Sequence, residues 1–219
     1  METNQEKRNV STFEGKEVEV FDHSLEYDGG RIANQGSAFP EDNRGGGIVG
    51  TCGLCAVARV INKAGGKASE NSVGKYALQN GLCSNKASER PEHRGGTTAT
   101  QQAQILSDAG ISSKPIVNSS LESLSQKVEQ GYGVIISVVA SLYKPEWYGV
   151  YSEQNAGGHA IVLESPVRDR ETGKVIGYIV SDSNGDSSSD ARVFVDKTAL
   201  EAAFDARGGQ AVLTDDVIW

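Results

Sequence analysis

Apolar residues recur at helical spacing over residues 52–64, at offsets of three, four and seven positions. Two glycines at 65 and 66 predict the end of this helix, and the glycine-rich stretch 45–50 precedes its start. Further stretches with helical spacing are each followed by a glycine, and Thr98 and Ser120 are suitable N-caps for two of them. These predicted helices cover about residues 70–79, 98–108, 121–130 and 198–206.

Strand patterns dominate the second half of the chain. Residues 134–140 form a β-branched run between glycines, which predicts a central strand buried on both faces. Apolar runs begin at 159 and 175, and the 169–173 connection between them favours antiparallel pairing. Shorter strands are predicted at 111–117, 191–195 and 210–213, and the last of them is expected to close the sheet at its edge. Helices followed by an antiparallel sheet indicate the α+β class.

The N-terminal part has weaker patterns. Residues 1–10 are polar and predict a loose arm, whereas the alternation over 16–21 predicts an edge strand. Residues 22–50 lack periodicity and predict an irregular segment, and the aromatic-containing stretch 141–158 predicts a loop. A chain of 219 residues can bury a substantial core. We therefore expect an arm with an edge strand over 1–21 and one domain over 22–219.

Composition excludes several classes of partner. The net charge is -8 and no Lys/Arg cluster occurs, so we do not expect nucleic acid to bind. No apolar run is long enough for a membrane span, and no signal peptide opens the chain. Three cysteines do not suggest a disulfide framework, which favours synthesis in a reducing cytoplasm. Secretion or delivery into a target cell stays open.

Cys52 is the first candidate for chemistry, because it lies at the start of the 52–64 helix. The free N–H groups and the positive dipole end of a helix N-terminus favour a thiolate, which is the reactive form of cysteine. Cys52 is therefore a candidate nucleophile. The alternative is that Cys52 and Cys55 are small buried apolar residues.

A cysteine nucleophile needs a base, and His159 is the candidate. It follows Gly157 and Gly158 at the mouth of an apolar strand, where the glycines leave room for a substrate. His23 and His93 have polar neighbours and are predicted to lie on the surface. The alternative for His159 is a strand-end histidine bonded to a carbonyl.

Asp182 is the candidate for orienting the imidazole. It ends the apolar strand 175–182, so it is expected to be partly buried. A loose connection centred near Arg170 would place Asp182 opposite His159, whereas a tight turn at 172–173 would place Asp186 there. Asp186 and Asn184 are the alternatives, in a serine-rich loop.

The motifs Thr-Cys-Gly-Leu-Cys at 51–55, Gly-Gly-His-Ala-Ile at 157–161 and Ser-Asp-Ser at 181–183 occur in the order Cys, His, Asp. In this order they resemble the papain-like cysteine peptidases, and most closely the C39-like group. They are also similar to papain-fold effector domains of bacterial polymorphic toxins. The resemblance covers about residues 34–186. It implies a helical part that carries the nucleophile helix and packs on a C-terminal antiparallel sheet.

The resemblance also implies further properties. The family carries an oxyanion-hole glutamine before the cysteine, and Gln35 is the candidate here, although a glycine-rich stretch separates it from Cys52. A papain-type alignment would choose Cys55 as the nucleophile, and a C39-type alignment chooses Cys52. The expected substrate is a protein or peptide, no cofactor is expected, and a toxin setting implies an immunity protein as partner.

Several other functions fit parts of the sequence. The Cys-x-x-Cys spacing of 52–55 is that of thioredoxin-like proteins, but no buried strand precedes it. Zinc needs better-spaced ligands than these cysteines and histidines, and the acidic run at 182–186 lacks the later Glu of an EF-hand. The same three residues would also serve a glutamine deamidase or a transglutaminase. A non-catalytic binding module with the same fold is the alternative function that is not enzymatic.

Overall fold

The computed structural model describes residues 8–13, 16–21, 50–86, 94–149, 157–183 and 192–219. Within these residues the chain forms seven helices and eight strands. The helices are α1 Cys52–Lys63, α2 Glu70–Asn80, α3 Ala99–Asp108, α4 Leu121–Glu129, α5 Ala140–Tyr143, α6 Pro145–Tyr148 and α7 Lys197–Asp205. The strands are β1 Arg8–Phe13, β2 Lys16–Phe21, β3 Ser113–Ile116, β4 Tyr132–Val139, β5 Gly158–Asp169, β6 Val175–Ser181, β7 Arg192–Asp196 and β8 Ala211–Val217.

Strand β5 is the centre of the sheet because it pairs with three other strands. The order is β1-β2-β5-β4-β8-β3. Strand β6 also pairs with β5, and β7 pairs with β6. Val162 shows this arrangement, since it pairs with Ile135 of β4 on one side and Ser181 of β6 on the other. Every pairing between described strands is antiparallel. This confirms the α+β class and the antiparallel sheet.

Helices cover both faces of the sheet. On one face α1, α2 and α3 pack against Ile135, Ala160 and Val162. On the other face α4, α5 and α7 pack against residues that alternate with these, such as Ile136 and Ile161. The continuous apolar run of β4 follows from burial on both faces, as its sequence predicts.

Capping side chains define where the predicted helices begin. Thr98 and Gln101 form a capping box at α3, and Ser69 and Ser72 form one at α2. Ser120 accepts a hydrogen bond from the N–H of Ser123 at the start of α4. The observed bounds of these helices therefore lie within one or two residues of the predicted ones.

Three sequence predictions are corrected by the structure. Residues 8–13 form strand β1 instead of part of a loose arm, so β2 is not the edge strand at this side of the sheet. Residues 140–148, predicted as strand end and loop, contain the short helices α5 and α6. Strand β8 lies between β4 and β3 rather than at an edge. The strand character of β1 depends on its pairing with β2, which a sequence with few apolar residues does not reveal.

Candidate active site

Cys52 is the first residue of α1 and is partly exposed. Thr51 occupies the N-cap position, and its carbonyl accepts the first helical hydrogen bond, from the N–H of Cys55, at 2.9 Å. The Cys52 sulfur accepts hydrogen bonds from the backbone N–H groups of Ala160 and Gly53. Backbone donors and the helix N-terminus therefore surround the sulfur with positive partial charge.

Gly53 allows the start of α1 to pack closely against the turn before α3. A Cβ at position 53 would lie 2.0 Å from Thr97 Oγ1 and 2.6 Å from Gln102 Nε2. Gln102 donates to the Thr97 hydroxyl at 3.0 Å, so these two side chains are held in place. The absence of a side chain at residue 53 thus fixes the position of its neighbour Cys52.

His159 lies at the beginning of β5, where it pairs with Val138 of β4, and its side chain is buried. Its imidazole hydrogen-bonds the Cys52 sulfur.

The two glycines that precede His159 have different environments. A Cβ at Gly157 would meet nothing within 4 Å, whereas a Cβ at Gly158 would lie 2.7 Å from Arg207 Nη2. The end of the Arg207 side chain thus occupies the space beside Gly158, whereas the space beside Gly157 is open.

Asp182 lies directly after β6 and is fully buried. Its Oδ1 is 2.8 Å from Nε2 of His159, which leaves Nδ1 as the nitrogen that faces Cys52. The last β5–β6 pair is Val162 with Ser181, so continuing it would put Asp182 opposite Ile161. Asp182 therefore reaches His159 diagonally across the pair, and the register lies between the two that the sequence suggested.

Burial and charge have opposite effects on Cys52 and His159. Burial raises the pKa of the Cys52 thiol, but the charge and hydrogen bond of His159 lower it below the ordinary value. Burial lowers the pKa of His159, but the charge of Cys52 and the carboxylate of Asp182 raise it to about 10. Both shifts favour a thiolate paired with an imidazolium.

Cys55, the alternative nucleophile, has a different environment. Its side chain is buried one turn into α1. Burial raises its pKa well above the ordinary value, and the charges of Glu70 and Cys52 raise it further, against hydrogen bonds from Thr51 and Ser183. A thiol so strongly held in its protonated form, with no histidine of the described residues beside it, is less suited than Cys52 to attack the carbonyl carbon of a substrate.

Tyr143 contacts the site, although the sequence alone assigns no specific role to it. Its hydroxyl donates to Oδ2 of Asp182, so the carboxylate holds His159 with one oxygen and is held by Tyr143 with the other. The sequence predicts only a loop for the stretch that contains Tyr143. The one feature of the sequence that relates Tyr143 to the site is its position between β4 and His159.

A second buried polar cluster joins α1 to the strands that carry His159 and Asp182. Glu164 of β5 accepts hydrogen bonds from Arg59 Nε at 2.9 Å, Lys63 Nζ at 2.5 Å and Ser181 Oγ at 2.5 Å. Burial raises the pKa of Glu164, but the charges of Lys63 and Arg59 lower it well below its usual range. Because Ser181 directly precedes Asp182, this cluster ties α1 to both strands beside the site.

Three candidates from the sequence, Gln35, Asn184 and Asp186, lie outside the described residues. Within the described ranges, no group of three or more His, Cys, Asp or Glu side chains is arranged to hold a metal ion. No helix in the same part of the chain combines the length and apolar character that a membrane span needs. The three thiols of the chain are not bridged to one another.

Comparison with known proteins supports the fold. No family model matches the chain, and no curated protein matches it. Among solved structures it is similar to a protein from Bacillus anthracis described as a "putative C39-like peptidase". The two share 16% sequence identity with a TM-score of 0.56, over 85% of this chain and 94% of that one. The chain therefore has a papain-like fold of the C39-like kind, as the sequence motifs predicted.

Proposed function

We propose that this protein is a cysteine peptidase that uses Cys52, His159 and Asp182. The Cys52 thiolate attacks the carbonyl carbon of a peptide bond, and the His159 imidazolium protonates the leaving amine. His159 then takes a proton from water, which hydrolyses the thioester. Asp182 keeps the imidazole in the orientation and tautomer that this exchange needs.

One observation carries this proposal: the continuous contact from Cys52 through His159 to Asp182. A buried histidine would be costly to charge without partners, and here both neighbours favour the charged form. The position of the thiol at a helix N-terminus is a second support. The papain-like fold is a third, since the similar Bacillus anthracis protein is described as a peptidase.

The negative charge that forms on the substrate oxygen during the attack needs hydrogen-bond donors. The backbone N–H groups in the first turn of α1 can supply them. The first N–H groups of a helix have no partner within the helix, so the Cys52 N–H is suited to this role. Gln35 stays a candidate for a second donor, on the basis of the sequence alone.

Closely related reactions use the same three residues. A glutamine deamidase or a transglutaminase would form the same thioester from a side-chain amide. The setting of a bacterial effector or toxin, with an immunity protein as partner, is part of our proposal and rests on the sequence resemblance. The alternative function that is not enzymatic is a binding module without activity.

Alkylation of the cysteines tests the nucleophile directly. We would treat the parent and His159→Ala with iodoacetamide near pH 6 and quantify each modified cysteine by mass spectrometry of peptides. Fast modification of Cys52 in the parent, slowed at least about 10-fold in His159→Ala, is expected, because an ordinary thiol with a pKa of about 8.5 is hardly ionised at this pH. Faster modification of Cys55 than of Cys52 would assign the nucleophile to Cys55. Equal, slow modification of all three cysteines would favour the binding module.

The type of reaction follows from the products. Parent protein and Cys52→Ala would be incubated with a denatured protein substrate, with and without a primary amine. Shortened fragments seen only with the parent are expected for a peptidase. Intact substrate in which glutamine has become glutamate would indicate a deamidase, and amine attached to glutamine would indicate a transglutaminase.

A further inference from the structure

Two of the three cysteines in the chain share the first turn of α1. Cys52 is its first residue and Cys55 follows three positions later. In an α-helix this spacing sets the two Cα atoms about 5 Å apart and on neighbouring parts of the surface. Disulfides span Cα distances of about 4.4–6.8 Å, which includes this separation. Their Cβ atoms are about 3.5–4.5 Å apart, so a bridge requires the first turn of α1 to draw the two Cβ atoms closer together.

The two thiols differ in exposure. Cys52 is partly exposed, so a small oxidant can reach it, whereas Cys55 lies behind it with 4% of its surface exposed. Both residues belong to α1 and lie three positions apart, so their side chains are neighbours on the helix. An oxidised Cys52 would therefore have a second thiol next to it, and that second thiol is itself shielded from the oxidant.

The surroundings of Cys55 contain a proton acceptor. The carboxylate of Glu70 acts on the Cys55 thiol electrostatically, and Thr51, whose hydroxyl hydrogen-bonds Glu70, also hydrogen-bonds Cys55. A thiol must lose its proton to attack another sulfur. The Thr51–Glu70 pair offers a route for that proton within the buried cluster.

We propose that peroxide converts Cys52 and Cys55 into a reversible disulfide, which switches the site off and protects Cys52 from irreversible oxidation. The inference rests on the proposed role of Cys52 as the nucleophile. It assigns a function to Cys55, which the peptidase mechanism does not use.

The chemistry balances in two steps with hydrogen peroxide as oxidant. The Cys52 thiolate attacks one peroxide oxygen, the O–O bond breaks, and the departing hydroxide takes a proton from His159 to form water. Cys52 is then a sulfenic acid. Cys55 loses its proton and attacks the Cys52 sulfur, the S–O bond breaks, and hydroxide leaves as water with that proton. A dithiol reductant reverses the result by exchange.

Cys83 is a natural internal control. It lies beyond the end of α2 and is buried, and burial alone raises its pKa to about 11. Trypsin separates it from the pair, because Cys52 and Cys55 share the peptide 45–59, whereas Cys83 lies in the peptide 76–86. Intramolecular pairing of the first two thiols can therefore be read from one peptide.

The experiment exposes the full chain to a small excess of hydrogen peroxide, quenches it, blocks remaining thiols and digests it with trypsin. In the parent, we expect the peptide 45–59 to be two hydrogen atoms lighter than its reduced form and to carry no blocking group. Dithiothreitol should restore both thiols. In Cys55→Ala, Cys52 should instead gain two oxygen atoms as sulfinic acid, which dithiothreitol does not reverse. Cys83→Ala should behave like the parent.

Oxygen addition to Cys52 in the parent, a disulfide to Cys83, or unchanged thiols would each overturn the proposal. The iodoacetamide rate of the untreated protein separates this failure from failure of the proposed function. Fast modification of Cys52 without disulfide formation would overturn only the redox switch. Slow modification of Cys52 would overturn the nucleophile assignment itself.

Discussion

The ionisation of Cys52 and the ionisation of His159 depend on each other, because the charge of each shifts the pKa of the other. Desolvation disfavours both the thiolate and the imidazolium at these positions. The charge of each residue favours the ionised form of the other. Replacing either residue therefore changes the ionisation of the other one.

This mutual dependence predicts how the pair affects stability at different pH values. His159, whose pKa is raised, contributes stability in full below its unfolded pKa of about 6.5, and that contribution is lost as the pH rises towards about 10. Cys52, whose pKa is lowered, contributes in full above about 8.5 and loses its contribution as the pH falls. Between about pH 6.5 and 8.5 the two slopes have opposite signs.

We therefore expect the difference in free energy of unfolding between the parent and Cys52→Ser to vary least between about pH 6.5 and 8.5 and to shrink on both sides, because the two slopes oppose each other there. Urea unfolding at a series of pH values measures it. A difference that only rises with pH would mean that His159 is neutral in the folded protein.

Tyr143 is expected to act as a positioning residue through Asp182. Tyr143→Phe removes the hydroxyl that donates to Asp182 Oδ2 and leaves the ring in place. A small displacement of the carboxylate is transmitted to His159, so we expect kcat to fall about 10- to 100-fold with KM nearly unchanged. Tyr76→Phe is the matched control, since it removes an exposed hydrogen bond between Tyr76 and Asp108. Equal kinetics in the two variants would contradict the role of Tyr143.

At the scale of elements, α1 is attached to the sheet by apolar packing and by buried charge. Its apolar face packs on Ala160 and Val162, and its Arg59 and Lys63 side chains meet Glu164 of β5. Lys63 also lies over the ring of Trp219, with Nζ 3.6 Å from the ring centroid. Apolar packing alone would tolerate a shift along the helix axis, but paired buried charges favour one position.

Glu164→Gln should be strongly destabilising. It leaves two buried cations without their carboxylate, and breaking a buried ion pair in this way typically costs about 3–5 kcal/mol. The pKa of Glu164 is lowered, so its contribution is complete at neutral pH and is lost only in strong acid. Urea unfolding at pH 7 measures the change. Asp215→Asn breaks the solvent-exposed pair with Lys114 and is the control, for which little change is expected.

The elements differ in how far the sequence reveals them. The helices α2, α3 and α4 follow from capping residues and glycines, which are local signals. Strand β1 and the helices α5 and α6 depend on pairing and packing with distant residues, so their local sequences do not define them. The same holds for contacts within the site. Cys52 and His159 stand out by their positions at element ends, whereas Tyr143 and Glu164 gain their partners only through the fold.

At the scale of the whole molecule, the described sheet has a well-buried centre and a weakly attached end. Strand β4 is buried on both faces, in the two large clusters. The β1–β2 hairpin joins β5 through three residue pairs and shares a small cluster of Val18, Val20 and Val167. Local opening should therefore require less free energy in the hairpin than in the centre.

Hydrogen exchange measured by mass spectrometry tests this difference. We expect the amides of β1 and β2 to exchange about 100-fold faster, or more, than those of β4. The same experiment bears on the predicted division into an arm at 1–21 and a domain over 22–219. Equal protection of hairpin and centre would mean that residues 8–21 are an integral part of the domain.

The residues that ionise Cys52 lie far beyond it in the chain, in β5 and directly after β6. A ribosome adds about 5–20 residues per second, so on the order of ten seconds separate the synthesis of Cys52 from that of Asp182. During this interval the nascent chain carries a cysteine without its imidazolium partner. On the proposed role of Cys52, its thiolate is thus acquired only when the sheet assembles, and an incomplete chain carries an ordinary thiol at this position.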